Sequence, residues 1–180
     1  RCRPEYAEQL KRDLEWLGLG WDTEQTPQSQ RTQVYAAAFA KLDTYPCYCS
    51  RNELHAASAP HASDGTVIYA GTCRNLTDAE RAAKTRRPAW RVRVPEEEIM
   101  FVDGLQGEVR ENLARECGDF ILRRSDGVYA YQLAVVVDDA AGGVTQVVRG
   151  ADLLRSTPRQ LWLQAQLGLA HPCYYHVPLL

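Results

Sequence analysis

The fold is decided by the stretch Phe120-Ile121-Leu122-Arg123-Arg124-Ser125-Asp126-Gly127-Val128-Tyr129-Ala130-Tyr131-Gln132-Leu133-Ala134-Val135-Val136-Val137-Asp138-Asp139. Phe120 to Leu122 is a short apolar run that ends in Ser125-Asp126-Gly127, a hairpin signal, so the segment from Val128 to Val137 reads as a returning strand. Asp138-Asp139 and a Gly142-Gly143 turn close it, and Thr145 to Val148 reads as the next strand. Outward from there, Thr157-Pro158 opens a helix that stops at Gly168, and Cys173 to Leu180 is extended. Upstream, Trp90-Arg91-Val92-Arg93-Val94 alternates strictly, and Ile99 to Val102 is a short apolar run.

The first part of the chain has a different texture. Tyr6, Leu10, Leu14 and Leu17 recur at helical spacing behind Pro4 and before Gly18, which predicts an amphipathic helix from Pro4 to Leu17. After the break at Gly18-Leu19-Gly20-Trp21-Asp22, Val34, Tyr35, Ala38 and Phe39 carry a second helical pattern between Gln28 and Leu42. Thr77 with Glu80 forms a capping box for a short helix reaching about Thr85. Helices interleaved with strands predict an α/β fold.

At 180 residues, 45% of them hydrophobic and 24% charged, the chain has globular composition and can bury one core, or one core with a small appended module. It has no apolar run of the roughly 18 residues a membrane helix needs, and Arg1-Cys2-Arg3-Pro4-Glu5 carries no signal-peptide core. A cytoplasmic location is expected. The net charge of −2 excludes a protein-wide basic surface. Any nucleic-acid contact must then come from a local patch such as Arg86, Arg87, Arg91 and Arg93, which from charge alone reads more readily as a solvated strand face.

Six cysteines are too few for a disulfide scaffold of this length. Cys47-Tyr48-Cys49 and Cys73 lie in a segment, Pro46 to Thr77, with little apolar material to order it by burial. Three soft ligands of this kind suit zinc, in a structural role if a fourth protein ligand closes the site. Tyr69, His55 and His61 are local candidates for that ligand, and general zinc chemistry favours a histidine. The alternative is a small core of unliganded thiols.

Cys47-Tyr48-Cys49 followed by Tyr69-Ala70-Gly71-Thr72-Cys73-Arg74 resembles the zinc-binding insertion of the glutamyl-Q tRNA(Asp) synthetases, small relatives of the catalytic domain of glutamyl-tRNA synthetase. Asp13-Leu14-Glu15-Trp16-Leu17-Gly18-Leu19 is similar to a helix of the class I glutamyl and glutaminyl enzymes. The longest similarity runs from Gly118-Asp119-Phe120 through Tyr131 to Asp139 and on to Val148-Arg149-Gly150-Ala151-Asp152-Leu153-Leu154, followed by Ser156-Thr157-Pro158-Arg159-Gln160 and His176-Val177-Pro178-Leu179-Leu180. The resemblance covers nearly the whole chain in order.

It implies a class I aminoacyl-tRNA synthetase Rossmann-type catalytic domain with a mixed-strand, zinc-bearing insertion. Residues 1–45 would be the helical part, 46–117 the insertion and mixed-strand subdomain, and 118–180 the second part of the catalytic domain. The implied zinc ligands are Cys47, Cys49, Tyr69 and Cys73, in place of a histidine. The implied glutamate-binding residues are Tyr131 and Arg149, an assignment that fits chemically, because a guanidinium forks onto a carboxylate and a phenol holds a further polar group. Asp152, Leu179 and Leu180 fall where the family contacts ATP, used with magnesium. Val135 stands where discriminating glutamyl-tRNA synthetases usually carry asparagine, which favours the tRNA-modifying branch.

The implied reaction joins glutamate to ATP as glutamyl-adenylate and passes the acyl group to queuosine in the anticodon of tRNA(Asp), on a protein expected to be monomeric. Positioning and charge stabilisation carry such chemistry, so no dedicated catalytic base is assigned. No His-x-Gly-His type signature precedes Arg1 and no Lys-x-Ser-Lys type loop follows Leu180. Both ends look cut, and these 180 residues alone are expected not to form the adenylate. A part of a full glutamyl-tRNA synthetase charging the tRNA 3′ end, or a non-catalytic zinc-containing module binding RNA or protein, are the alternative readings.

Overall fold

Pro4 at the first turn and Gly18 beyond the end, with φ of 72°, bracket the first helix, α1 (Pro4–Trp16). The computed structural model describes residues 3–54 and 67–179. The chain divides into two compact units, Arg1–Gln30 and Arg31–Leu180. In the first, α1 buries none of its residues, and Lys11 pairs with Glu8 at 3.2 Å and Glu24 at 2.7 Å. A single 3-10 turn, Gln28–Gln30, ends this unit.

The second unit runs α2 (Thr32–Phe39), β1 (Thr44–Cys47), α3 (Arg51–Leu54), α4 (Asp78–Ala82), β2 (Ala89–Val92), β3 (Glu98–Asp103), β4 (Gly107–Asn112), α5 (Leu113–Glu116), β5 (Ile121–Arg123), α6 (Tyr131–Ala141), β6 (Gln146–Gly150), a 3-10 turn (Ala151–Ser156), α7 (Thr157–Leu167) and β7 (Cys173–Val177). Three small sheets result among the described residues. β1, β2 and β5 form an antiparallel sheet in the order β1-β2-β5, β3 and β4 form an antiparallel hairpin, and β6 pairs with β7 in parallel. A parallel pair needs a crossover, and the 3-10 turn with α7 supplies it. No helix among the described residues is long and apolar enough to cross a membrane.

The deciding stretch folds differently from its reading as a hairpin of two full strands. The turn at Ser125-Asp126-Gly127 forms, with Arg124 N–H donating to Val128 O at 2.8 Å, but pairing ends after the single bridge Arg123↔Tyr129. From Tyr131 the chain is helical as α6 rather than extended, and Tyr131 is a half-exposed first-turn residue. A short continuous apolar run fits a buried strand or a buried helix equally well. Burial decides it, because Leu133, Ala134, Val136 and Val137 are the positions covered, the i, i+1, i+3, i+4 spacing of a helix face.

That face is the centre of the core. Leu133 and Leu163 are fully buried with Leu122, and Trp162 packs edge-on against Phe120 at a centroid distance of 6.1 Å. Arg31 Nε donates to Asp138 at 2.7 Å, and the Tyr35 hydroxyl donates to the same carboxylate at 2.8 Å, which ties α2 to α6. The capping box of α4 is present in both directions, although that helix stops at Ala82. α7 ends at Gly168, whose φ of 67° is the left-handed conformation a glycine adopts without a Cβ penalty.

Candidate functional site

Arg149 lies on β6 directly across the parallel ladder from His176 on β7. Its Nε donates to His176 Nε2 at 3.0 Å, its Nη2 to Thr157 Oγ1 at 2.8 Å and its Nη1 to the Tyr131 hydroxyl at 3.4 Å. The structure therefore brings the side chains of Tyr131 and Arg149 together, one from the start of α6 and one from a strand. A guanidinium has about five N–H donors; among the described residues the three bonds named leave one donor on each Nη, the pair that a carboxylate engages in a fork. The guanidinium also lies 5.3 Å above the Tyr174 ring, which itself stacks on His176.

Behind this pair the groups are buried and paired. His176 and Thr157 are completely buried and Asp103 is 1% exposed. His176 Nδ1 lies 2.6 Å from Asp103 Oδ2, and Asp103 Oδ1 accepts the backbone N–H groups of Leu105, Gln106 and His176 at 3.0, 2.9 and 3.1 Å. Burial alone would raise the Asp103 carboxyl, but the bond from the His176 side chain and those backbone donors outweigh it and hold the group down to about 2. Burial pushes the nearby Asp139 carboxyl up, with Arg149 acting in the opposite direction.

Asp152 and Leu179 stand just past the carboxyl ends of β6 and β7, the side of an open parallel sheet where ligands bind. A Cβ on Gly150 would lie 2.4 Å from Asp152 Oδ1 and 3.0 Å from Leu179 Cδ2, so both residues close on the same glycine. Both are exposed, and Leu180 lies outside the described residues.

The second cluster is built by β1 and the loop before α4. The sulfurs of Cys47, Cys49 and Cys73 all lie within 4.8 Å of one another, with Cys49 and Cys73 at 3.6 Å. The Tyr69 hydroxyl reaches in beside them, 3.5 Å from Cys47 Sγ and accepting Cys73 N–H at 2.8 Å. His55 and His61 lie outside the described residues. Zinc–sulfur bonds of about 2.3 Å in a tetrahedron put sulfurs roughly 3.8 Å apart, so the three thiols and the phenol fit a closed four-ligand zinc site. Burial, followed by the adjacent Cys47 thiolate, pushes the Cys49 thiol up to about 12. At Cys47 burial is outweighed by the Tyr69 and Arg91 donors, and the thiol is lowered.

This cluster is wired to the rest of the unit by residues that strand alternation did not reveal. Arg91 is buried, with its guanidinium 3.7 Å from the Tyr69 ring centroid, Nε donating to Cys47 Sγ at 3.3 Å and Nη1 to Asp119 O at 2.6 Å. Arg91 therefore does not belong to a surface basic patch with Arg86 and Arg87. The buried Asp119 carboxylate accepts the Tyr45 hydroxyl at 2.6 Å and Val94 N–H at 2.9 Å, and pairs with Arg74 at 3.2 Å. Asp103 and Asp119 were not singled out from the sequence, since an aspartate at a strand end looks like a turn residue until its partners are known.

The chain matches, over residues 1–180, the family described as tRNA synthetases class I (E and Q), catalytic domain. It is 54% identical over 198 residues to a glutamyl-Q tRNA(Asp) synthetase of Nitratidesulfovibrio vulgaris, covering 100% of this chain and 60% of that protein. To a protein of the same name from Thiobacillus denitrificans it is 50% identical over 184 residues, covering 100% of this chain and 59% of the relative. The chain thus spans about 60% of the length of these relatives. Among solved structures, a glutamate tRNA ligase from Elizabethkingia meningosepticum in complex with its amino acid superimposes with a TM-score of 0.80 at 24% identity, covering 100% of this chain and 40% of that one. A glutamate-tRNA synthetase from Elizabethkingia anophelis gives 0.80 at 25% identity, with 100% and 41% covered. With the family matched from first residue to last and its fold reproduced, this chain belongs to the catalytic-domain family of class I tRNA synthetases (E and Q).

Proposed function

We propose that this chain is the amino-acid-binding and metal-bearing part of an enzyme that activates glutamate with ATP and transfers it to queuosine in the anticodon of tRNA(Asp). The observation that carries the reading is the convergence of Tyr131 and Arg149 beside the carboxyl ends of the parallel pair, with two guanidinium donors left for a carboxylate. Relatives about half identical over the whole chain, each named glutamyl-Q tRNA(Asp) synthetase, support the same substrates. Val135, apolar and partly buried, agrees with the tRNA-modifying branch rather than charging of a tRNA 3′ end.

In the proposed reaction a glutamate carboxylate oxygen bonds to the α-phosphorus of ATP and pyrophosphate leaves. A queuosine hydroxyl then attacks the acyl carbon and AMP leaves. Arg149 and Tyr131 hold and orient the amino acid, which converts the first step into an intramolecular one. Asp152, Leu179 and Leu180 contribute to the ATP site, with magnesium accompanying the triphosphate. Cys47, Cys49, Tyr69 and Cys73 hold a structural zinc, which with four protein ligands has no open position for chemistry. Segments 1–45, 46–117 and 118–180 correspond to the helical part, the insertion and the second part of the catalytic domain. The protein acts as a cytoplasmic monomer.

The test is made on the intact protein that carries this sequence. Exchange of pyrophosphate into ATP is expected to require glutamate and to be lost in Arg149→Ala. Labelled glutamate is expected on queuosine-containing tRNA(Asp) and absent from the same tRNA without queuosine. Exchange that is indifferent to glutamate, or equal labelling of both tRNAs, contradicts the reading.

A further inference from the structure

The bonds around Arg149 determine more than its position. Arg149 Nε always carries a hydrogen, so at 3.0 Å His176 Nε2 has to accept. Thr157 Oγ1 already accepts from Arg149 Nη2, which leaves the hydroxyl hydrogen free to point at the same Nε2, 3.2 Å away. The Arg149 hydrogen faces Nε2 and the Thr157 hydrogen is free to join it, so Nε2 must be unprotonated. The ring hydrogen therefore sits on Nδ1, where Asp103 Oδ2 receives it at 2.6 Å.

The two oxygens of Asp103 are not equivalent. Among the described residues, Oδ1 takes three backbone N–H groups, from Leu105, Gln106 and His176, while Oδ2 takes only the imidazole. The turn between β3 and β4 that carries Asp103 is itself fastened to β7. Gly104 N–H donates to Tyr174 O at 2.9 Å and Gln106 Nε2 to His176 O at 2.8 Å. A Cβ at Gly104 would lie 2.1 Å from the Tyr175 ring, so the turn and the strand are in direct contact.

We infer that Asp103 and His176 are positioning residues for amino-acid binding. Asp103 fixes the Nδ1–H tautomer of His176, and His176 in that tautomer presents Arg149 with the acceptor that aims its fork. This rests on the reading of Arg149 as the carboxylate-holding residue. The consequence is specific to one isosteric change. In Asp103→Asn the amide oxygen must stay on the three backbone donors, because an NH2 group there would face three hydrogens. The NH2 then faces His176 Nδ1 and drives the ring hydrogen to Nε2, where it meets the Arg149 Nε hydrogen. An attraction becomes a repulsion, with no atom of the pocket removed.

The experiment is a double-mutant cycle on the intact protein, read by calorimetric titration of glutamate and by 15N chemical shifts of the His176 imidazole, assigned from their loss in His176→Gln. Wild type is expected as the Nδ1–H tautomer. Asp103→Asn is expected as the Nε2–H tautomer, with affinity for glutamate reduced on the order of tenfold, the scale of one hydrogen bond to a charged group. A glutamine at 176 has an amide oxygen able to take the place of Nε2 and has no tautomer. In the His176→Gln background, Asp103→Asn is therefore expected to cost no further affinity. Equal losses in both backgrounds would reveal a merely structural carboxylate and overturn the inference, as would an Nε2–H tautomer in wild type. If Arg149→Ala leaves affinity unchanged, the reading of Arg149 itself fails, while the tautomer shifts still decide the link between Asp103 and His176.

Discussion

Gly118→Ala probes how the thiol cluster is held to the body of the fold. Gly118 has φ of 65°, and a Cβ there would stand 2.5 Å from Tyr69 O and 3.1 Å from Tyr69 N. The same backbone forms the bridge Tyr69↔Gly118 and the bond from Tyr69 N–H to Cys117 O at 3.5 Å. Gly168, with φ of 67° and nothing within 4 Å of its added Cβ, is the internal control. A left-handed alanine costs about 1–2 kcal/mol at either position. At Gly118 the overlap falls on backbone, which cannot rotate away, so the bridge hydrogen bond is lost as well and the total reaches about 3 kcal/mol. Because Tyr69 must move, its hydroxyl leaves Cys73 N–H and Cys47, and the affinity of the proposed zinc site should fall with stability. Urea denaturation gives the first quantity and zinc competition against a chromogenic chelator the second. If Gly118→Ala and Gly168→Ala prove equal in both, the reasoning that Tyr69 is positioned by this close approach is wrong.

Further outcomes are expected from single changes. Leu133→Ala, at a completely buried position, should lower unfolding free energy by about 2–5 kcal/mol, measured by urea titration. Tyr45→Phe removes the 2.6 Å donor from the buried Asp119 carboxylate and should cost about 1–3 kcal/mol by the same assay. The Asp103 carboxyl is held down to about 2 in the folded protein, below the roughly 3.9 of an unfolded aspartate. Its contribution to stability is therefore present above about pH 4 and is lost as pH falls toward 2; Asp103→Asn should remove that part of the pH dependence of the urea midpoint. Chelation of zinc should lower the melting temperature of the intact protein, and Cys73→Ser should remove that sensitivity.

Local signals were legible where one residue type has one physical use. Pro4 and Gly18 delimited α1, Thr77 with Glu80 gave the reciprocal cap of α4, and Gly168 ended α7. The run from Tyr131 to Val137 was not legible, because Gln132 alone interrupts its apolar character and no period can be read from it; the buried face Leu133, Ala134, Val136 and Val137 is what identifies the helix. β1 and β4 escaped notice, since the four residues Thr44 to Cys47 include a proline and Gly107 to Asn112 is mostly polar. Arg91 looked solvated in an alternating strand, yet Asp119 and Tyr69, both distant in sequence, bury it. For the same reason no local pattern connects Asp103 with His176, 73 positions later. The pairing of Tyr131 with Arg149 was anticipated from family resemblance, and the first turn of α6 and the end of β6 bring the two side chains to 3.4 Å.

The central claim is that the Arg149 guanidinium and the Tyr131 phenol clasp the amino acid. Crystals of the intact protein grown with glutamate test it most directly. A glutamate carboxylate is predicted within hydrogen-bond distance of both Nη atoms of Arg149, with Tyr131 Oη on the same ligand and His176 Nε2 still accepting from Nε. Glutamate bound elsewhere, with both Nη atoms contacting only protein or water, would contradict it.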